Sequence, residues 1–237
     1  VLTVSGTHGK IRPEQIDFMV KKRDDVHYPK PRVVSVTQAT ELGTVYTPDE
    51  LKALWARTKS NGLRLHMDGA RLGNAIAALG VKPKEVTWQA GVDVLCLGGT
   101  KAGMAVGEAV VFFDRALAAE FDYRCKQAGQ LASKMRFLAA PLVGMLRDGA
   151  WLAHARHANE MAALLEARLE AIPGVELLHP RQVNSVFVKL APATAAAMRA
   201  KGWRFYDFIG GASRLMCAWD TRQEDVEAFA RELATVA

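Results

Sequence analysis

The stretch "LRLHMDGARLGNAIAALG" (Leu63–Gly80) reads as a buried strand running into a helix, with a His, an Asp and an Arg where the two meet. His66 and Asp68, two residues apart, share one face of that strand. Some thirty residues later comes "VLCLGGTKAGMAVGEAVVFF" (Val94–Phe113), in which a lone Lys interrupts two apolar runs. Strands that alternate with helices predict parallel βαβ units and an α/β fold. In open sheets of that kind, ligands sit outside the carboxyl ends of the strands. Asp68 and Lys101 both fall at such ends.

The pattern extends to either side. "PRVVSVTQ" (31–38) is a β-rich run. "YTPDELKALWARTKSNG" predicts a helix with Thr47 as N-cap, Pro48 at its first position, Glu50 closing a capping box and Gly62 ending it. A short helix is expected near 83–89, a strand over "EAVVFFD", and a helix over "RALAAEFDYRCKQAG". From 137 to about 172 the chain is Ala/Leu-rich and helical. Beyond it, short strands in "VELLH", "NSVFVKL", "WRFYDFIG" and "SRLMCAW" surround two helices, the second expected to be capped by Thr221 with Glu224. The opening "VLTVSGTHGKI" is strand-like. The organisation expected is a large domain over 1–136, a helical connection over 137–173 and a small α+β domain over 174–237.

Composition narrows the function. Of 237 residues, 50% are hydrophobic, enough for a substantial core, and the formal net charge is +6. The basic residues are interleaved with acids, as in "KKRDD" and "ARHANEMAALLEARLE", which argues against nucleic acid and accords with an anionic small-molecule substrate. Three scattered cysteines suggest no disulfide framework or metal site and a reducing, cytoplasmic setting. No apolar run approaches the roughly 18 residues that span a bilayer.

The chemistry of the two strand ends is specific. A lysine whose charge is easily suppressed suits Schiff-base formation with a carbonyl cofactor. Gly98, Gly99 and Gly103 let the backbone pass close to a flat ligand. An Asp at a neighbouring strand end keeps a pyridine nitrogen protonated, which makes pyridoxal 5'-phosphate (PLP) an effective electron sink. Arg71 stands within reach of a phenolic oxygen or a carboxylate. Spacing alone leaves a plainer reading open, in which Asp68 caps the following helix and Lys101 is a solvated loop residue.

"HMDGARLGNA" and "CLGGTKAGMAVGEAVVFF" together resemble the low-specificity threonine aldolase and β-eliminating lyase group of PLP enzymes. The likeness continues through "TQATELGTVY", "KQAGQLASKMRF", "NSVFVKL" and "SRLMCAWD". It implies fold type I, the aspartate aminotransferase-like architecture: a large domain with a mostly parallel sheet and a smaller α+β C-terminal domain. It implies that Asp68 pairs with the ring nitrogen, Lys101 carries the aldehyde, and Arg71 lies near the ring oxygen and the substrate carboxylate. It places Arg214 on that carboxylate, as an Arg fork suits. Lys126 and Arg136 fall on the substrate and phosphate sides or at a neighbouring subunit's site. Thr40 and Glu41 lie where the family's loop nears the substrate, with Glu41 where relatives often have His. Ala102 replaces a common Asn. His66 is expected as a satisfied core histidine or as a hydrogen-bonding support for the site.

The family's Ser/Gly/Thr phosphate cup and its ring-stacking His have no counterpart here, so the sequence reads as lacking the family's N-terminal portion. The reaction implied is retro-aldol cleavage of threonine, allo-threonine or a related β-hydroxy-α-amino acid to glycine and an aldehyde. The β-hydroxyl proton goes to a His outside this sequence or to a water. A homotetramer built from dimers is expected, with no metal. The alternatives are β-elimination on the same fold and a non-catalytic scaffold. A nicotinamide enzyme is disfavoured, since no G-x-G-x-x-G follows a strand.

Overall fold

The computed structural model describes residues 1–237 apart from the side chain of Ile209. The elements in chain order are α1 (Pro13–Lys21), β1 (Val33–Thr37), α2 (Pro48–Ser60), β2 (Arg64–Gly69), α3 (Leu72–Leu79), β3 (Val94–Gly98), β4 (Glu108–Phe112), α4 (Phe121–Gln127), α5 (Arg136–Arg147) and α6 (Ala150–Glu170). There follow β5 (Glu176–Leu177), β6 (Ser185–Lys189), α7 (Pro192–Ala200), β7 (Tyr206–Asp207), β8 (Ser213–Met216) and α8 (Gln223–Leu233).

Two four-stranded sheets result. The first has order β1-β2-β3-β4, and its first three strands are parallel. The fourth is antiparallel because the short connection 99–107 leaves no room for a crossover. The second, order β5-β6-β8-β7, is wholly antiparallel.

Period-two alternation in β2 divides labour between the faces. Leu65 and Met67 are fully buried, in one cluster with Leu51 and Leu54 of α2, Leu72 and Ile76 of α3, and Trp151 of α6. His66 and Asp68 lie on the other, more open face. The second core joins Val186, Val188 and Leu215 to Val226 and Phe229 of α8 and to Ala162, Leu165 and Leu169 of α6. One helix therefore supplies residues to both cores. Its middle is locked to α3: Asn74 Nδ2 donates to Asn159 Oδ1 at 3.1 Å, and Asn159 Nδ2 donates to the Asn74 carbonyl at 3.0 Å.

The start of α2 forms as its sequence predicts. Thr47 Oγ1 accepts from Glu50 N at 3.2 Å, and Glu50 Oε2 accepts from Thr47 N at 2.7 Å. Other expectations need correction. The opening forms no strand: only an isolated bridge pairs Thr7 with Lys10, around a turn with Gly9 at φ +81°, and the chain then enters α1 behind Pro13. The segment near 83–89 is two 3-10 turns, and the helix over 115–129 is a 3-10 turn followed by α4. Thr221 does not cap α8. Its Oγ1 accepts from Ala218 N at 2.7 Å, closing the turn after β8, and its carbonyl accepts from His157 Nε2 at 2.7 Å. The N-cap position falls to Arg222, whose guanidinium clamps Asp225 in the first turn through two hydrogen bonds.

Removing the α2 cap by Thr47→Ala is expected to lower the unfolding free energy by about 1 kcal/mol. A urea titration reads this as a lower midpoint at unchanged slope.

Candidate active site

The parallel register of β2 and β3 sets Asp68 beside Cys96 and Gly69 beside Leu97, so the two strands end side by side. The contact beyond those ends is intimate. A Cβ at position 98 would stand 2.7 Å from the Ala70 Cα, closer than any side chain tolerates. Gly98 thus lets the chain leaving β3 lie directly against the turn that carries Ala70 and Arg71. Two residues later the 3-10 turn Thr100–Ala102 presents Lys101, exposed, with no ion pair or hydrogen bond on its amine among the described residues.

Asp68 Oδ1 accepts from Ala70 N at 2.9 Å, which fixes the carboxylate plane. Its Oδ2 takes no protein hydrogen bond among the described residues. Asp68 therefore does not cap α3, whose N-cap position is Arg71 without a side-chain cap; its one bond closes the turn ahead of the helix. On the same face, His66 bridges three strands: Nδ1 lies 2.8 Å from Ser35 Oγ on β1 and Nε2 lies 3.3 Å from Cys96 Sγ on β3. Burial lowers the pKa of His66, partly offset by the negative charge of Asp68. Burial, with Asp68 and Glu108 nearby, raises the Cys96 thiol. Both shifts favour the neutral form of the group concerned.

Arg71 and Arg214 meet across the two sheets. Arg71 Nη1 lies 3.5 Å from Glu41 Oε1, and Arg214 Nη1 lies 2.9 Å from Glu41 Oε2. Burial lowers the Arg71 pKa, Glu41 and Asp68 oppose that shift, and Arg214 adds to it. The Arg214 guanidinium lies over the Phe208 ring at 4.6 Å, and its Nε is buried without a partner among the described residues. The site thus combines an unpaired amine, a carboxylate with a free oxygen and a guanidinium with an unsatisfied donor.

Of the residues predicted from sequence, Arg71 is the common neighbour: its charge interacts with Asp68 and Arg214, and it shares the lining of one small cavity with Lys101. Lys126 on α4 and Arg136 on α5 stand apart, exposed and without ion pairs among the described residues. His154 was not anticipated. Its Nδ1 donates to the Ala102 carbonyl at 2.7 Å and its ring packs on Trp219 at 5.2 Å, so α6 tethers the Lys101 turn from behind. The helical spacing of Trp151, His154 and Ala158 marks the α6 face that does this, although nothing local names its target. Among the described residues no group of three or more His, Cys, Asp or Glu is placed to hold a metal, and no helix is long and apolar enough to cross a membrane.

Residues 1–193 match the model of the β-eliminating lyase family. The chain belongs to that family. It is 59% identical over its whole length to the low specificity L-threonine aldolase of a Pseudomonas species, covering 68% of that protein. It is 61% identical over 96% of its length to the Pseudomonas aeruginosa protein of the same name, covering 66% of it. The chain thus spans about two thirds of the length of these relatives. The structure superimposes on Leishmania major threonine aldolase with a TM-score of 0.90 at 30% identity, covering all of this chain and 70% of the other. The fold is fold type I of the PLP enzymes, an α/β unit with a mostly parallel sheet beside an antiparallel one.

The lowered His66 pKa carries a sign. Below about pH 6.5 the unfolded chain binds a proton at this position that the folded protein resists, so stability falls with acid. His179, also lowered by burial, adds to the trend. Denaturant midpoints are expected to drop between pH 7.5 and 5.5, and His66→Gln to shrink the drop.

Proposed function

We propose that this protein cleaves L-threonine, L-allo-threonine or related β-hydroxy-α-amino acids to glycine and an aldehyde, using PLP held on Lys101. The observation that carries the reading is the placement of Asp68 and Lys101 at the ends of adjacent parallel strands, with two arginines beside them. The donor set fits the cofactor's ring. Lys101 offers a free amine, and Asp68 offers Oδ2 while Ala70 N holds Oδ1. The names of the close relatives support the same chemistry.

Bound there, PLP supplies the sink for the electron pair left on Cα when the Cα–Cβ bond breaks. Asp68 holds the proton of the ring nitrogen by accepting its hydrogen bond and opposing its charge. Lys101 Nζ anchors the carbonyl carbon. Burial favours the neutral forms of His66 and Cys96, so neither offsets the charge of Asp68. Arg214, with its unpartnered Nε, and Arg71 bind the substrate carboxylate and so orient the bond to be broken. His154 holds the lysine turn in place through the Ala102 carbonyl.

The assembly that accords with this reading is a homotetramer of dimers. Tyr123, Leu131, Met135, Phe137 and Val143, on and between α4 and α5, are exposed apolar groups that such an interface would cover. Lys126 and Arg136 lie among them, which suits a role at a neighbouring subunit's substrate or phosphate end. The three free cysteines accord with a cytoplasmic setting.

Borohydride reduction of the holoenzyme followed by peptide mapping is expected to place the pyridoxyl group on the Lys101 peptide. Threonine should yield glycine and acetaldehyde, and Asp68→Asn should lower kcat on the order of 10²–10³-fold. A label on another lysine, or release of a 2-keto acid in place of glycine, would overturn the assignment.

A further inference from the structure

Glu41 has one carboxylate and two arginine partners, each serving a different oxygen. The arginines come from opposite parts of the fold, Arg71 from the turn before α3 and Arg214 from β8. Their side chains are 11% and 16% exposed, whereas that of Glu41 is 54% exposed. Two cations withdrawn from water in one place repel each other, and the carboxylate between them offsets that repulsion. The cluster keeps a formal charge of one, with the Arg214 Nε still unpartnered. Asp68, the other nearby acid, is matched by the ring nitrogen in the reading above.

The loop that carries Glu41 is built to hold it still. Thr40 N donates to the Thr44 carbonyl at 2.9 Å, and the hydroxyls of Thr40 and Thr44 are 2.8 Å apart. Gln182, at the second sheet, grips the loop twice: its Oε1 accepts from Val45 N at 2.7 Å and its N donates to the Gly43 carbonyl at 3.0 Å. Gly43 has φ +77°, and a Cβ there would stand 2.6 Å from Ser185 Oγ. A carboxylate on so fixed a loop is a permanent member of the site and no swinging gate.

We propose that Glu41 determines substrate charge: by cancelling one of the two arginines it fits the site to amino acids with a single carboxylate and rejects those with a second one. This inference rests on the assignment of Arg214 and Arg71 to the substrate carboxylate. With Glu41 neutralised, the same two guanidinium groups carry two charges and accept a dicarboxylate such as β-hydroxyaspartate.

The test uses the holoenzyme and three variants. In Glu41→Gln, the kcat/KM ratio of β-hydroxyaspartate to threonine is expected to rise about tenfold or more, through KM, on the scale of one charge contact near a protein surface. Calorimetry with non-reacting acids should show the same rise for malonate over acetate, diminishing with added salt. Glu41→Asp, which keeps the charge, should keep the original ratios. Arg214→Gln should weaken every carboxylate ligand. Unchanged ratios in Glu41→Gln alongside weakened binding in Arg214→Gln would overturn the role of Glu41 alone. Intact carboxylate binding in Arg214→Gln would overturn the carboxylate assignment, and this role with it. Equal ratios in Glu41→Asp and Glu41→Gln would reduce Glu41 to a structural residue.

Discussion

The backbone contact between Gly98 and Ala70 governs the geometry of everything around it. Parallel pairing brings the ends of β2 and β3 level, but only a residue without a Cβ lets the chain beyond β3 settle onto the following turn. That approach puts the Lys101 turn and Asp68 on the same rim of the sheet. It also fixes the Ala70 amide that orients Asp68, and the neighbouring Arg71 that reaches across to Glu41. The candidate site groups are thus set by main chain, and side-chain packing from α6 reinforces it through Trp151 and His154.

The strand ends were legible because their signals are local. An acid after one buried run and an amine after another announce themselves within a few residues, and the α2 cap is written entirely in Thr47, Pro48 and Glu50. The contacts that complete the site are not of that kind. Glu41 and Arg214 lie 173 residues apart in the chain, and His154 lies 52 from the carbonyl that it holds. Nothing in the neighbourhood of either residue specifies such a partner. Thr221 illustrates the opposite failure. Its spacing to Glu224 is right for a capping box, but the turn after β8 claims its hydroxyl first. Local patterns state what a side chain is able to do, and tertiary competition decides which option it takes.

Charge is graded across the site. The sheet face carries two acids, Asp68 and Glu108, beside His66 and Cys96, whose neutral forms burial favours. On the side facing the second sheet, two cations and one anion leave a single positive charge. A zwitterionic amino acid entering between them meets a field that orients it before any contact is made. The overall charge of +6 adds a weak, non-directional attraction for carboxylates.

The two sheets have separate cores but share α6, whose Trp151 belongs to one and whose Leu165 and Leu169 belong to the other. Neither core is able to open alone without exposing one end of a helix that the other still grips. The energetic result is a cooperative linkage: opening of the antiparallel sheet is felt at the Lys101 turn through the His154 tether. Amide exchange in β6 and in the 99–103 segment would then respond together to denaturant, as parts of one unfolding unit.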